Sequence, residues 1–270
     1  MRVAVLSDIH GNIHALDAVL EDVDKQSVDQ IIIAGDVVNL FPHSKACWQL
    51  VKSLGYPILR GNHERYLYDY GTANAPPEWS ESWFQGVAWQ RAQFRDAELE
   101  EMRDLPLSYE RDGVLFVHSA LDGDRSFLRD ADNERLAEAF PDLQARMVVR
   151  GHEHLPAYRR WRGVPIVTGG ALGLPLSGTG EASYLLLETD TLNYERRSVP
   201  YDRAAALSSL TPEYLAATGP MGEIFRLELA TIRPHAMVFF GRYYRALLNK
   251  EIGLEQAVTM YLNHVLEPCT

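Results

Sequence analysis

Short apolar segments alternate with amphipathic segments over the first quarter of the chain. The runs at 2–7, 30–34 and 57–60 are β-branched and aliphatic and have the length of buried strands. Between them, residues 13–25 and about 43–54 carry apolar side chains at helical spacing. Because strands that alternate with helices usually pair in parallel, this pattern predicts an α/β sheet.

An aromatic segment, residues 64–105, then interrupts the alternation, and it is expected to contain a helical stretch at about 79–104. Its Tyr66, Tyr70, Trp79 and Trp83 suit either core packing or the stacking of a nucleobase. Further elements follow in the order strands, helix, strands: 106–110, 114–117, 133–139 (the helix), 147–150, 164–168, 183–189 and 193–199. The Gly- and Pro-rich residues 169–180 predict a loop.

After Pro200 the pattern becomes helical. Thr211-Pro212 is typical of a helix start, and residues 254–266 place their apolar side chains on one face. We therefore predict two units: a domain at 1–200 and an appendage of three or four helices at 201–270. The appendage would serve as a lid, as packing, or as a contact in a homo-oligomer.

Composition and charge narrow the class of protein. The chain has 270 residues and a net charge of −11, which argues against a broad basic face for nucleic acid or anionic lipid. Its two cysteines, Cys47 and Cys269, are far apart, so no disulfide framework is expected. We find no signal-peptide core and no apolar run of about 20 residues, so we expect a cytoplasmic protein without a membrane contact.

Metal-binding residue types follow five of the apolar runs. The five clusters contain Asp8 and His10; Asp36; Asn62 and His63; His118; and His152 and His154. In open α/β sheets, ligands bind beyond the carboxyl ends of the strands. Five such clusters in series indicate one site that holds more than one metal ion.

Taken singly, several clusters have a second interpretation. Asp8 and His10 would share one face of a strand, but Asp8 could also cap a helix. Asp36 could form an ordinary Asx turn, and His118 could be a core histidine. Gly151-His152-Glu153-His154 is the strongest local signal, because its two histidines should point the same way and Glu153 away from them.

The order and spacing of the five clusters resemble the calcineurin-like metallophosphoesterase superfamily. The opening Ser7-Asp8-Ile9-His10-Gly11-Asn12 is especially similar to its small bacterial and archaeal members. The resemblance covers about residues 1–200. It implies an α/β fold, a two-sheet β-sandwich of mixed strands flanked by helices, to which the chain adds a C-terminal helical appendage.

The resemblance also implies a dinuclear metal site. The implied ligands of one metal are Asp8, His10 and His154. Those of the other are Asn62, His118 and His152. Asp36 would bridge the two ions, and His63 would act on the phosphoryl or leaving group without binding metal. Manganese is the expected metal, with Fe, Zn, Ni, Co and Mg as alternatives.

The expected reaction is hydrolysis of a phosphate ester by in-line attack of a hydroxide that bridges the metals. The expected partner is a small phosphate ester or nucleotide, which Arg60 and Arg65 could orient if they are not structural ion pairs. Hydrolysis of a dinucleoside polyphosphate is one alternative. A protein Ser/Thr phosphatase is another, weakened because Val37–Phe41 lacks arginine. A non-catalytic scaffold is disfavoured, since every ligand position is retained.

Overall fold

Two mixed β-sheets form the centre of the computed structural model, which describes residues 1–266. Within this range the strands are β1 (Arg2–Leu6), β2 (Gln30–Ile33), β3 (Ser108–Arg111), β4 (Val114–Val117), β5 (Met147–Arg150), β6 (Ala157–Trp161), β7 (Val164–Thr168), β8 (Ala182–Glu188) and β9 (Tyr194–Val199). One sheet has the order β2-β1-β8-β9 and the other the order β3-β4-β5-β7-β6. β1 is parallel to β2 and antiparallel to β8, while β5 is parallel to both β4 and β7.

Helices cover the outer faces of both sheets. Over the same residues, the α-helices are α1 (Ile13–Val23), α2 (Ser44–Ser53), α3 (Asn62–Asp69), α4 (Gln85–Arg91), α5 (Asp96–Arg103), α6 (Asn133–Ala139), α7 (Arg203–Ser208), α8 (Pro212–Thr218), α9 (Met221–Thr231), α10 (His235–Leu248) and α11 (Leu254–Leu266). Short 3₁₀ helices lie at Asp24–Gln26, Pro77–Ser80 and Ser82–Phe84. None of the helices described is long and apolar enough to cross a membrane.

The alternation of side chains along β1 explains the layering. Val3 and Val5 face the second sheet and pack in one cluster with its Phe116 and Val149. Ala4 and Leu6 point the other way, into the cluster under α1 and α2. Since successive strand residues point to opposite faces, a strand that is apolar throughout must be covered on both sides. The predicted two-sheet sandwich flanked by helices is confirmed.

Several predicted elements need correction. Residues 57–60 form no full strand, because Ile58 makes a single bridge to Ile33 before the chain turns into α3. The stretch 79–104 is broken into two 3₁₀ turns, α4 and α5. Glu98 accepts a hydrogen bond from the Arg95 amide, which starts α5 afresh. β6 was missed, since its side chains are alternately exposed at the sheet edge.

The C-terminal segment contains five helices in its described part, where three or four were expected. Helices α9–α11 share an apolar cluster of their own, which includes Ile224, Phe239 and Tyr261. A second cluster joins Leu210 and Tyr214 to the first 200 residues, and the Tyr214 hydroxyl donates to the Leu40 carbonyl at 2.7 Å. The helices are therefore packed onto the sheet domain. Cys47 is buried and has no disulfide partner among the described residues, while Cys269 lies outside them.

Candidate metal centre and active site

The carboxyl ends of four strands meet at one edge of the sandwich, and the loops that follow them carry the predicted ligands. Asp8 follows β1, Asp36 follows β2, His118 follows β4 and His152 follows β5. Asp8, Asp36 and His118 are at most 1% exposed, although they are polar or charged. Buried groups of this kind need specific partners to offset their desolvation. The loops thus gather a polar cluster inside an otherwise apolar region.

Left-handed backbone conformations orient the side chains of this polar cluster toward one another. Asp8, His10, Asp36, His152 and His154 all have positive φ, between 53° and 72°. Such a conformation costs a non-glycine residue roughly 1–2 kcal/mol. The strand geometry expected for Asp8-Ile9-His10 and for Gly151–His154 is therefore wrong, although the side chains do converge. Strain concentrated in this way is typical of functional sites.

Two glycines allow the loops to approach closely. A Cβ atom on Gly61 would lie 2.1 Å from Asp36 Oδ1, and one on Gly173 would lie 1.8 Å from the Ile9 carbonyl oxygen. Real Cβ atoms do not come this near to other heavy atoms. The loops after β1 and β2 are consequently held in place by backbone contacts that only glycine permits.

Glu64 is a positioning residue that the sequence did not reveal. Its buried carboxylate accepts hydrogen bonds from the amides of Asp36 at 2.9 Å, Val37 at 2.7 Å and Gly61 at 2.8 Å. Burial, reinforced by the charge of Asp36, raises the pKa of Glu64 to about 7. The feature of the sequence that could have identified Glu64 is its position in the first turn of α3, where a carboxylate can accept hydrogen bonds from free backbone amides.

Three overlapping groups of potential ligand atoms lie side by side among the described residues, and the third, His10, Asp36 and His63, shares one member with each of the other two. The first comprises Asp8, His10 and His154, and the second Asp36, His118 and His152; within each, the atoms lie within 4.8 Å of one another. Nε2 of His10 is 2.9 Å from Nε2 of His154. Asp36 lies between the groups, with Oδ2 at 3.2 Å from Nε2 of His118 and 3.8 Å from Nε2 of His10.

Asn62 belongs to the second group. Its Oδ1 lies 3.1 Å from Nε2 of His118. The other ring nitrogen of His118, Nδ1, donates to the Ala34 carbonyl at 2.8 Å. A hydrogen bond of this kind fixes the tautomer and leaves Nε2 free to face a ligand. The structure thus brings together all seven residues of the predicted ligand set.

The polar atoms of the centre fit divalent metal ions. Nδ1 of His10 and Nε2 of His152 are buried and have no hydrogen-bond partner in the described part of the chain. Burial holds the pKa of both histidines well below the usual value, which favours the neutral ring that binds metal. Burial alone would raise the pKa of Asp36, but His118 and His63 hold it well below its usual range, so it stays ionised. Mixed imidazole and carboxylate donors suit first-row transition metals.

His63 is held differently from these histidines. The Asn39 side-chain amide donates to Nδ1 of His63 at 2.9 Å, so Nε2 carries the ring proton. Nε2 is 3.9 Å from Asp36 Oδ2, and the His63 side chain is 15% exposed. Burial lowers the pKa of His63 to about 4. The ring therefore presents a neutral N–H donor at the open side of the centre, although it also lies near His10 and Asp36.

The two arginines proposed for substrate are engaged elsewhere. The Arg60 guanidinium donates to the Arg103 carbonyl at 3.0 Å. Arg65 pairs with Asp124 at 2.7 Å. The exposed Arg125, which the sequence did not single out, lies over the Tyr66 ring at 5.6 Å and borders the space in front of His63. No local pattern marks it, because it reaches this place from a loop between β4 and α6.

Glu153 is turned away from the centre, as expected, but for another reason than strand alternation. It is buried in an ion pair with Arg150 and accepts a hydrogen bond from the Leu128 amide at 2.7 Å. Arg150 in turn donates to the Ser119 carbonyl at 2.8 Å. Glu153 therefore braces the loops that carry His118 and His152.

Comparison with known proteins places these observations in a family. Residues 1–192 match the model of the calcineurin-like phosphoesterase superfamily domain. The chain is 25% identical, over 79% of its length, to 95% of an uncharacterized protein of Methanocaldococcus jannaschii. It is 30% identical to a symmetrical bis(5'-nucleosyl)-tetraphosphatase of Janthinobacterium sp. (strain Marseille), over 45% of the chain and 44% of that protein.

A solved structure agrees with this match. The crystal structure of a metallophosphoesterase from Sphaerobacter thermophilus superposes with a TM-score of 0.71 at 25% identity, covering 86% of this chain and all of that one. The family match spans the strands and loops that carry the ligand groups. The chain therefore belongs to the calcineurin-like phosphoesterase superfamily and is a hydrolase of phosphate esters.

Proposed function

We propose that the centre binds two divalent metal ions and hydrolyses small phosphate esters, with His63 as the catalytic residue. The observation that carries the proposal is the pair of ligand groups with Asp36 between them. Asp8, His10 and His154 would hold one ion, and Asn62, His118 and His152 the other. A carboxylate has two oxygens, so Asp36 can serve both ions.

When bound, two such ions lower the pKa of water and offset charge on phosphoryl oxygens. The protein residues have separate tasks. The loops and Glu64 fix the ligand atoms before substrate arrives, which avoids reorganisation during the reaction. Asn39 keeps the N–H of His63 pointing outward, where the neutral ring can donate a hydrogen bond to the phosphoryl or leaving oxygen and stabilise the charge that develops there.

The proposed substrates are small phosphate esters or nucleotides. A relative named as a bis(5'-nucleosyl)-tetraphosphatase supports hydrolysis of dinucleoside polyphosphates as the specific alternative. A protein Ser/Thr phosphatase has less support, since Val37–Phe41 contains no arginine. Arg125 is better placed than Arg60 or Arg65 to meet an anionic substrate, because its side chain is exposed beside Tyr66.

Metal removal and reloading test this proposal. Protein stripped with a chelator should lose hydrolysis of bis-p-nitrophenyl phosphate and regain it as two equivalents of metal bind. We expect Mn²⁺ to restore the highest rate among Mn²⁺, Fe²⁺, Co²⁺, Ni²⁺, Zn²⁺ and Mg²⁺. Full activity in the stripped protein, or restoration by one equivalent, would contradict a dinuclear centre. A screen of monoesters, cyclic nucleotides, dinucleoside polyphosphates and phosphopeptides would then identify the substrate class.

A further inference from the structure

A cavity of about 530 Å³ opens directly in front of His63, outside the two ligand groups. His63, Asn39 and Tyr66 border its inner end, and Arg125 lies at its edge. The volume is far greater than a phosphoryl group requires and falls in the range of small-molecule sites. The cavity therefore has room for the organic part of a substrate.

Aromatic side chains dominate this cavity. Of its eighteen lining residues, eight are Tyr, Trp or Phe, whereas Glu78 and Arg125 are the two that carry charge. Trp79 and Phe84 are stacked, with ring centroids 5.4 Å apart and planes 22° apart. Tyr66 meets both rings edge-on, at 5.0 Å and 5.7 Å. Faces and edges so arranged favour a further planar ring, which gains more from them than an alkyl chain does.

The cavity adjoins His63, the residue that is proposed to meet the leaving oxygen of the substrate. The rings of His63 and Tyr66 are 5.0 Å apart, so a group that lies against Tyr66 is next to the proposed hydrogen-bond donor. A phosphoryl group held at the ligand groups would have its ester oxygen at His63. The group attached to that oxygen then extends into the cavity.

The C-terminal helices supply the opposite wall. Thr218 of α8, Met221 and Phe225 of α9, and Phe240 of α10 line the cavity. Trp83 connects the two walls, since its ring lies 6.4 Å from that of Tyr244 on α10. The organic group would thus be enclosed between the segment before α4 and helices from residues 201–270.

We propose that this cavity binds a planar aromatic ring on the leaving group, so that the enzyme selects phosphate esters of ring-bearing alcohols. This inference rests on the hydrolytic function proposed above. In the reaction, water adds to phosphorus and the bond from phosphorus to the ester oxygen breaks. The ester oxygen takes up the proton that the attacking water gives up and leaves as the ring-bearing alcohol, with phosphate or a phosphate monoester as the other product.

Binding of phosphonates tests the inference, because their C–P bond is not hydrolysed. Methylphosphonate, n-octylphosphonate and 1-naphthylmethylphosphonate share one head group and differ in the group that would enter the cavity. With the Mn²⁺-loaded full chain in a calorimeter, we expect the naphthylmethyl compound to bind at least tenfold more tightly than methylphosphonate. It should also bind more tightly than the octyl compound.

Two variants locate the selectivity. Trp83→Ala removes a ring from the wall, and Gly86→Leu adds bulk beside Thr218, where a Cβ atom has room at 3.7 Å. Each should reduce the ratio of naphthylmethyl to methyl affinity at least fivefold. Tyr194→Ala is the matched control, since Tyr194 is a 40% exposed aromatic residue on β9, outside the cavity. It should leave the ratio unchanged. Gly86→Leu keeps the test valid if loss of Trp83 loosens the helices.

Failure of this inference is distinguishable from failure of the proposed function. Equal affinities for the naphthylmethyl and methyl compounds, no binding of either, or a preference for the octyl chain would overturn the aromatic cavity. If bis-p-nitrophenyl phosphate is hydrolysed in that case, the proposed function stands. If the protein instead binds the ring-bearing phosphonate selectively but hydrolyses no ester with any of the metals, the catalytic proposal is refuted. The role of the ring as a leaving group is then refuted too, and only a ring-binding cavity remains.

Discussion

At the scale of single residues, His63 differs from the neighbouring histidines in its support. Asn39 holds its Nδ1, and its Nε2 faces the open side of the centre. We predict that His63→Ala lowers kcat by at least about 100-fold, since loss of one positioned hydrogen-bond donor to the developing charge costs about 10²–10³-fold. Metal content should be unchanged, because the ligand set does not need this ring. Steady-state kinetics combined with elemental analysis of the purified variant checks both parts.

Asp36→Asn provides the contrasting substitution. Its carboxylate lies between the ligand groups, so loss of the charge should remove metal and activity together. The two variants separate a catalytic role from a ligand role. Loss of metal from the His63 variant would show that His63 is a ligand, and full activity in the Asp36 variant would exclude a dinuclear centre bridged at this position.

At the scale of elements, the loops after the strands depend on close backbone contact. We predict that Gly61→Ala destabilises the protein by about 1–3 kcal/mol, a usual cost of overpacking, because its Cβ atom would meet Asp36 Oδ1 at 2.1 Å. The same change should weaken metal binding by displacing Asp36. Chemical denaturation and metal titration provide the two measurements.

Gly241→Ala is the control for this prediction. Gly241 lies within α10, and a Cβ atom added there meets none of the described residues within 4 Å. Alanine should therefore stabilise the helix by roughly 0.5–1 kcal/mol and leave metal binding unchanged. A Gly61→Ala protein as stable as the Gly241→Ala protein would show that the loop after β2 is not tightly constrained.

The ligand loops were also the elements best predicted from the sequence. Apolar runs and the polar residues just after them are local signals, so their order was sufficient to predict that Asp8, Asp36 and His152 belong to one site at the ends of the strands. Glu64 was not predicted as a brace, because its role depends on amides from a loop nearly thirty residues away. The strand β6 was missed since exposed Tyr158 and Arg160 give an edge strand little apolar pattern.

At the scale of the whole molecule, a buried carboxyl group links the stability of the helical segment to pH. Glu228 on α9 is 3% exposed and accepts a hydrogen bond from the Ala236 amide at 2.9 Å. Burial raises its pKa to about 8, from an ordinary value of 4.5. The folded chain therefore keeps a proton that the unfolded chain releases. The contribution of protonated Glu228 to the free energy of unfolding is fully present below pH 4.5 and is lost as the pH rises through about 8.

We predict that Glu228→Gln removes this dependence, since glutamine stays neutral and can still accept the bond from Ala236. Between pH 6 and pH 8, the free energy of unfolding of the variant should rise by roughly 2 kcal/mol relative to that of the natural protein. Urea denaturation at the two pH values measures the difference. A constant difference across this range would mean that Glu228 is already ionised in the folded chain.

The secondary structure could be predicted from the sequence more readily than the contacts between distant segments. The helices after residue 200 are predictable from the local periodicity of apolar residues. The amphipathic helix expected at 254–266 is present as α11. The cavity wall is not local, because it joins Trp83 to side chains more than a hundred residues later. Contacts over such distances leave no periodic signal in either segment.

Of the two walls of the cavity, one lies within the residues that match the superfamily model and the other lies after them. The superfamily match ends at residue 192, whereas the wall formed by α8, α9 and α10 begins after it. The metal-ligating loops and part of the proposed ring-binding surface are thus encoded in separate stretches of the gene. Substitutions in the second stretch can therefore alter the proposed substrate preference without changing a predicted metal ligand.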